Sequence, residues 1–267
     1  MAGKSTPKYE KRYFALLDIL GFSEKVRERS PLASPERLQA IYAEIHKIFD
    51  HSELQRDRDI NVELTLFSDT VIVSVPSPGS AEPQKEQREL ILASFLWCIR
   101  SIVLLLLRNG FLSRGCILEG EIFHEQGLVV GPAIIFAHHF ESKVANYPRV
   151  LIVGDLRSQI GQFQRFTKWV RRDDDGPMFL HVLYEFEKFS NEIPQMGRID
   201  SEKKQAFTFI RNACDTIDRY LTETRDDPRL FEKNRWFARY MEKEIIKKFD
   251  KKDWPAWPAL FDIQAYY

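Results

Sequence analysis

The chain has 267 residues, 39 basic and 39 acidic, so its formal net charge is zero; 44% are hydrophobic and 13% aromatic. That composition excludes a disordered polypeptide and supplies a substantial core, and the balanced charge argues against a nucleic-acid or anionic-membrane binder, which carries a basic excess. Three scattered cysteines, Cys98, Cys116 and Cys214, exclude a disulfide framework and a four-thiolate zinc site, and they fit a reducing cytoplasm.

The basic N-terminal segment precedes a short apolar run that contains an acid, a poor secretory signal. Arg12 to Leu17 is apolar and rich in aromatics, predicting a strand that ends at Asp18. Gly21 allows a tight turn, and Ser23 is placed to cap the segment after it. Ser34-Pro35-Glu36 starts a helix whose apolar spacing runs from Leu38 through Phe49. Val62, Leu64 and Leu66, then Val71, Val73 and Val75, alternate with polar partners, which predicts a hairpin with Ser68-Asp69 at its tip. A long helix comes next, from about residue 84 to Arg108, closed by Asn109-Gly110. Its span from Leu90 to Leu107 approaches transmembrane length. Arg100 at the centre would cost at least about 2.5 kcal/mol in a bilayer, so the expectation is a buried core or interface helix.

Leu112 to Phe123 reads as a strand pair or one long bent strand, with glycines at 115 and 120. Gly131-Pro132 opens a helix through about Ala145; Arg149 to Val153 is a buried strand; Lys168 to Leu183 is a hairpin turning at Asp173 to Gly176. From Asp200 the chain turns to long charged helices, about 201–223 and 229–249, and an aromatic tail containing Trp254 and Trp257. The pattern predicts an α+β fold: an antiparallel-rich sheet with helices on one face, in residues 1–190, and a helical C-terminal extension, 191–267.

Two acids stand in unusual places. Asp18 follows an apolar strand beside a tight turn, and Asp69 tips a hairpin between hydrophobic strands. In neighbouring strands the two carboxylates converge, repel and invite cations. Oxygen-only ligation suits Mg²⁺ or Mn²⁺, which take phosphates as further ligands, and backbone N–H groups of Leu20, Gly21, Phe22 and Ser23 at the following helix start would seat a phosphate. Spacing alone leaves the common alternative, two unrelated turn aspartates, open. A G-x-S-x-G elbow and a P-loop are absent from the sequence.

FALLDILGFSEKV resembles the first strand and turn of class III nucleotidyl cyclases, LTLFSDTVIVS their second metal-binding hairpin with Ser68 in place of a usual Gly, and LSRGCILEGEIFHEQGLVVGPAIIFAHHFES their later segment. The three blocks occur in family order over about residues 12–145, and the D-I-L-G-F, F-S-D-T and G-P-A variants resemble most the stand-alone pyrimidine cyclases of bacterial Pycsar anti-phage defence. The resemblance implies a palm-type, ferredoxin-like sheet and cyclisation of a nucleoside triphosphate, UTP or CTP favoured, to a 3′,5′-cyclic nucleotide and pyrophosphate. It further implies two Mg²⁺ or Mn²⁺ ions on Asp18, the Ile19 carbonyl and Asp69; a homodimer with the site at its interface; and a separate cyclic-nucleotide effector protein, with no nucleic-acid or membrane partner.

The family's transition-state Asn and Arg fall at Ile135 and His139. Ile135 cannot hydrogen-bond; His139 can donate to a phosphate, more weakly than a guanidinium; Arg114 is a substitute cation or a structural ion pair. Base contacts fall at Thr65 and Leu128, with Phe14 and Tyr42 as further pocket candidates, and Arg171 lies on the hairpin where the family carries a phosphate-binding Lys. Two other readings stay open: a catalytically silent nucleotide-binding or dimerisation module, and a metal-dependent phosphohydrolase.

Overall fold

The computed structural model describes residues 8–50, 52, 54, 60–79, 85–184 and 199–245. The aromatic tail lies outside these residues. Strand β1 (Glu10–Ile19) is followed by helices α1 (Phe22–Arg27) and α2 (Pro35–Asp50), the hairpin β2 (Glu63–Phe67) and β3 (Thr70–Pro76), helix α3 (Lys85–Arg108) and strand β4 (Ser113–Glu125). Strand β5 (Leu128–Val130), helix α4 (Pro132–Lys143), β6 (Val150–Ile152), α5 (Leu156–Gln162), β7 (Val170–Arg172) and β8 (Met178–Leu180) come next, then α6 (Ile199–Glu223) and α7 (Pro228–Glu244).

The sheet order is β2-β3-β1-β4-β6-β8-β7, with β5 paired to β4. Every pairing is antiparallel except β4 with β6. The first four strands with α2 and α3 form a ferredoxin-like βαββαβ unit, the expected antiparallel-rich palm. One long, bent β4 replaces any strand pair at 112–123, and the polar segment holding α5 carried no readable periodicity.

Side chains directly opposed in a ladder share a face. Tyr13 stacks on Phe95 of α3 at 6.2 Å between centroids, whereas Cys116, opposite Leu16, donates to the Ala137 carbonyl of α4 at 3.6 Å. Tyr13 and Leu16 differ in parity, so α3 and α4 cover opposite faces. The expectation of helices on one face is therefore corrected: the curl of β4 returns the chain across the sheet, and α4 buries the second face. Gly115 makes the β1 pairing possible, because a Cβ there would lie 2.0 Å from the Leu16 carbonyl oxygen.

Helix α3 is the one described helix long and apolar enough to cross a membrane, and 72% of its apolar window is buried inside the protein. The buried Arg100 donates to the Val182 carbonyl at 2.8 Å and lies over the Tyr184 ring at 4.7 Å. A charge that would be costly alone is thus satisfied within the core.

The C-terminal helices are bound to the sheet. Phe179 is in register with Leu151, and Leu151 with Cys116, which puts Phe179 on the Asp18 face; there it meets Trp236 and Tyr240 of α7 at 5.5 and 5.6 Å. Asp173 receives the indole N–H of Trp236 at 2.7 Å and pairs with the buried Arg149, which also binds Asp175. Helix α7 starts at Asp227, whose side chain caps the N–H groups of Arg229 and Leu230, with Pro228 in the first turn.

Candidate active site

Residues Phe14 to Leu17 of β1 are all buried, and the strand carries Asp18 to the sheet's end as the apolar run stops. Asp18 opposes Thr70 on β3 and Arg114 on β4. Beyond Thr70 the chain reverses through Ser68-Asp69, and the Ile19 N–H donates to the Asp69 carbonyl at 2.9 Å. The two acids predicted to converge are therefore brought to one edge. Ser68 adopts φ 54°, a left-handed conformation that favours glycine in a two-residue hairpin loop. The Tyr42 hydroxyl holds it, donating to the Ser68 carbonyl at 2.6 Å.

Arg114 donates from Nε to Asp18 Oδ2 at 3.0 Å and pairs through Nη2 with the buried Glu141 of α4. In this structure Arg114 is engaged in the ion pair. Burial raises the Asp18 pKa above its ordinary value; Arg114 opposes this and the Asp69 charge adds to it. Burial raises Glu141 likewise, against Arg114 and with Asp18 and Asp69. Lys233 of α7 completes the charge set. Burial, together with Arg114 and Arg229, lowers its pKa, while Asp227 and Asp18 raise it. Asn234, beside it, donates to the Tyr220 carbonyl at 3.3 Å, and the Tyr220 hydroxyl donates to the Leu20 carbonyl at 3.2 Å. The C-terminal pair is thereby tied to the turn after Asp18.

In that turn Gly21 has φ 68° and caps α1 without a side-chain bond. Ser23 is therefore inside α1 rather than its cap. The Leu20 N–H is spent on the Leu112 carbonyl at 2.9 Å, so it does not join the outward-facing amides expected of Leu20 to Ser23. Phe22 is buried, and Ser23 is exposed.

The other predicted residues scatter. Phe14 is fully buried in the core. His139 is exposed on α4, one turn from Ile135, which is 73% exposed. Leu128 opens β5 and is 56% exposed. Arg171 lies four strands from β1, roughly 19 Å by strand spacing. It lines a cavity of 280 Å³ with Trp236, Tyr240 and Arg239.

Thr65 is half-buried and accepts or donates a 2.9 Å bond with His124 Nε2, a partner 59 residues away. Glu141, Lys233 and His124 were not singled out in the sequence. Glu141 sits four residues after the buried Ala137 on α4, a spacing that marks the inward helix face; Lys233 carries no motif, because only tertiary packing brings it here.

Among the described residues no group of three His, Cys, Asp or Glu side chains could hold a metal unaided. A Mg²⁺ ion retains waters and takes substrate phosphates, so one or two carboxylates suffice. Two acids at one edge, Asp18 and Asp69, fit that donor set.

No protein-family model and no curated protein sequence matches the chain. Among solved structures it is similar to the adenylyl cyclase CyaB from P. aeruginosa, at 18% identity over 65% of this chain and 93% of that one, TM-score 0.43. The monomeric guanylyl cyclase domain of the RhoGC fusion protein from the aquatic fungus Blastocladiella emersonii is 14% identical over 66% and 98%, TM-score 0.44. The guanylyl cyclase Cya2 is 12% identical over 65% and 92%, TM-score 0.41. At these identities the likeness is one of fold.

Proposed function

We propose that the chain is a nucleotidyl cyclase that converts a nucleoside triphosphate, UTP or CTP favoured, to its 3′,5′-cyclic monophosphate and pyrophosphate. The observation that carries this reading is the juxtaposition of Asp18 and Asp69, fixed by the β1–β3 ladder and by the Ile19 N–H on the Asp69 carbonyl. Asp18, Asp69 and the Ile19 carbonyl would hold Mg²⁺ or Mn²⁺, which supplies charge neutralisation of the triphosphate and a lowered pKa at the ribose 3′-hydroxyl. The residues of the chain position and neutralise. Arg114, braced by Glu141, orients Asp18 through Oδ2. Tyr42 pins the hairpin tip that carries Asp69. Lys233 brings a partly desolvated cation to the same pocket. In-line attack on the α-phosphorus needs little beyond such positioning and charge.

The homodimer belongs to this proposal. Phe67, beside Asp69, is 74% exposed, and Ile135, on α4, is 73% exposed, apolar surface of the kind a second copy covers. His139, on the α4 face of Ile135, is then the phosphate donor nearest the interface. The Pycsar-like motifs support a role as second-messenger synthase in bacterial anti-phage signalling, in a reducing cytoplasm, with a separate effector protein.

Purified protein incubated with each of the four NTPs and Mn²⁺, with products identified by mass spectrometry, tests the reading. A cyclic pyrimidine nucleotide that disappears in Asp18→Ala and Asp69→Ala is expected. Linear monophosphate would instead mark a phosphohydrolase, and no turnover a silent binding module, the reading motivated by Ile135 and His139 in place of Asn and Arg.

A further inference from the structure

The β1–β4 ladder is completed, at its Asp18 end, by a side chain from the C-terminal helices. Asp18 opposes Arg114 and Ile19 opposes Ser113, so Leu20 and Leu112 form the next rung, just beyond the two strands. The Leu20 N–H donates to the Leu112 carbonyl at 2.9 Å, and such an antiparallel pair ordinarily exchanges both bonds. Here the return bond runs through the buried Tyr220 of α6. Its hydroxyl donates to the Leu20 carbonyl at 3.2 Å and accepts the Leu112 N–H. Burial lifts the Tyr220 pKa to about 12, so the hydroxyl keeps the proton it donates. One hydroxyl thus satisfies two backbone groups of opposed strands.

The same turn of α6 is fixed from several sides. Arg219 donates to the Gly110 carbonyl at 2.8 Å, in the approach to β4. The buried Lys25 of α1 lies over the Tyr220 ring at 4.6 Å and pairs with Glu223 at 3.5 Å. From α7, Asn234 donates to the Tyr220 carbonyl at 3.3 Å. The hydroxyl is therefore delivered to the rung by a braced element, not by a side chain free to swing away.

The rung matters because of the peptide one step back. The Ile19 N–H donates to the Asp69 carbonyl on the β3 side, whereas the Leu20 N–H donates to Leu112 on the β4 side. Across the trans peptide joining Ile19 to Leu20, carbonyl and N–H point in opposite directions. The Ile19 carbonyl is therefore turned away from β4, toward the side of the Asp69 hairpin. Turning that peptide requires Leu20 to leave Leu112, and the Tyr220 bridge opposes it. We infer that Tyr220 is a positioning residue: through its hydroxyl the C-terminal helices hold the Ile19 carbonyl on the Asp69 side and set the β1–β4 spacing beside Asp18 and Arg114. The extension is then part of a cation site that Tyr220 itself does not line. The inference rests on the cyclase reading for the cation, but not for the bridge. Tyr220→Phe keeps the ring and its contact with Lys25 and removes the bridge alone.

Mn²⁺ binding, read by electron paramagnetic resonance in the presence of UTP, and turnover are compared in the parent, Tyr220→Phe and Tyr240→Phe. Tyr240 is the control, a buried tyrosine of α7 whose hydroxyl bonds His181 and the Leu183 N–H beside β8, three strands from β1. Tyr220→Phe should bind Mn²⁺ about tenfold more weakly, the scale of one lost buried hydrogen bond. It should need correspondingly more Mn²⁺ for half-maximal turnover, with the UTP KM at saturating Mn²⁺ little changed. Tyr240→Phe should keep the parent's Mn²⁺ affinity even where it melts as low as Tyr220→Phe. Parent-like affinity in Tyr220→Phe, or an equal loss in both variants, overturns the inference and leaves the cyclase reading standing. A loss confined to Tyr220→Phe, in a parent that forms no cyclic product from any NTP, overturns the cyclase reading and leaves the positioning role. A parent that binds no Mn²⁺ overturns both. Should Tyr220→Phe fail to fold, Mg²⁺ titration of the ¹⁵N-leucine-labelled parent with UTP decides: the Leu112 amide is expected to shift with the metal, and an unmoved Leu112 signal overturns the inference.

Discussion

Asp18 carries the charge of the site at a cost to the fold. Its folded pKa is raised, chiefly by burial. As pH rises through the ordinary aspartate range the unfolded chain therefore loses its proton first, and stability falls until Asp18 itself ionises. Asp18→Asn removes that penalty. The variant should unfold at a higher temperature than the parent at pH 7, with the gap closing at pH 3, while cyclic product is lost. Scanning calorimetry at the two pH values checks this, and equal midpoints at pH 7 would refute it. At this scale the sequence was legible for the shared edge of Asp18 and Asp69, because one ends an apolar strand and the other tips a hairpin between hydrophobic strands. It was not legible for Arg114, Glu141 or His124. Their roles depend on a register pairing residues 96 apart, a helix face, and a strand curl, and none of these leaves a local pattern.

Helix α7 is the element whose purpose the sequence left open. Its long charged run announced a helix, but not that Phe179 and Arg149 would hold it on the Asp18 face. Lys233, next to the Asn234–Tyr220–Leu20 chain of contacts, gains its electrostatic coupling to Asp18 and Arg114 from that docking. A cation held in a site that excludes water is worth more than one in solvent. Lys233→Ala and Lys233→Met should each lower kcat/KM by about tenfold or more, with Lys233→Arg retaining most activity and all three melting within a few degrees of the parent. Full activity in Lys233→Met would reduce the residue to packing. Strand β1 was readable from its continuous apolar run and the β2–β3 hairpin from alternation; α5 was not, because its polar sequence takes its shape from the strands it joins.

For the whole molecule, the exposed Phe67 and Ile135 are the apolar surface on which the proposed homodimer would form. A charge placed in such a patch opposes burial. Ile135→Glu should shift the protein to monomer in sedimentation equilibrium and cut specific activity at low protein concentration, with recovery as concentration rises. A variant that stays dimeric, or a parent that is monomeric and fully active, would contradict the interface.

Titration of Mn²⁺ by electron paramagnetic resonance in the presence of UTP reaches the central claim most directly, because it reads the cation site without requiring turnover. The parent should sequester the ion, with Asp18→Asn and Asp69→Asn each losing most of that binding while remaining folded. Undiminished Mn²⁺ binding in both variants would show that the two carboxylates share an edge of the sheet without sharing a metal.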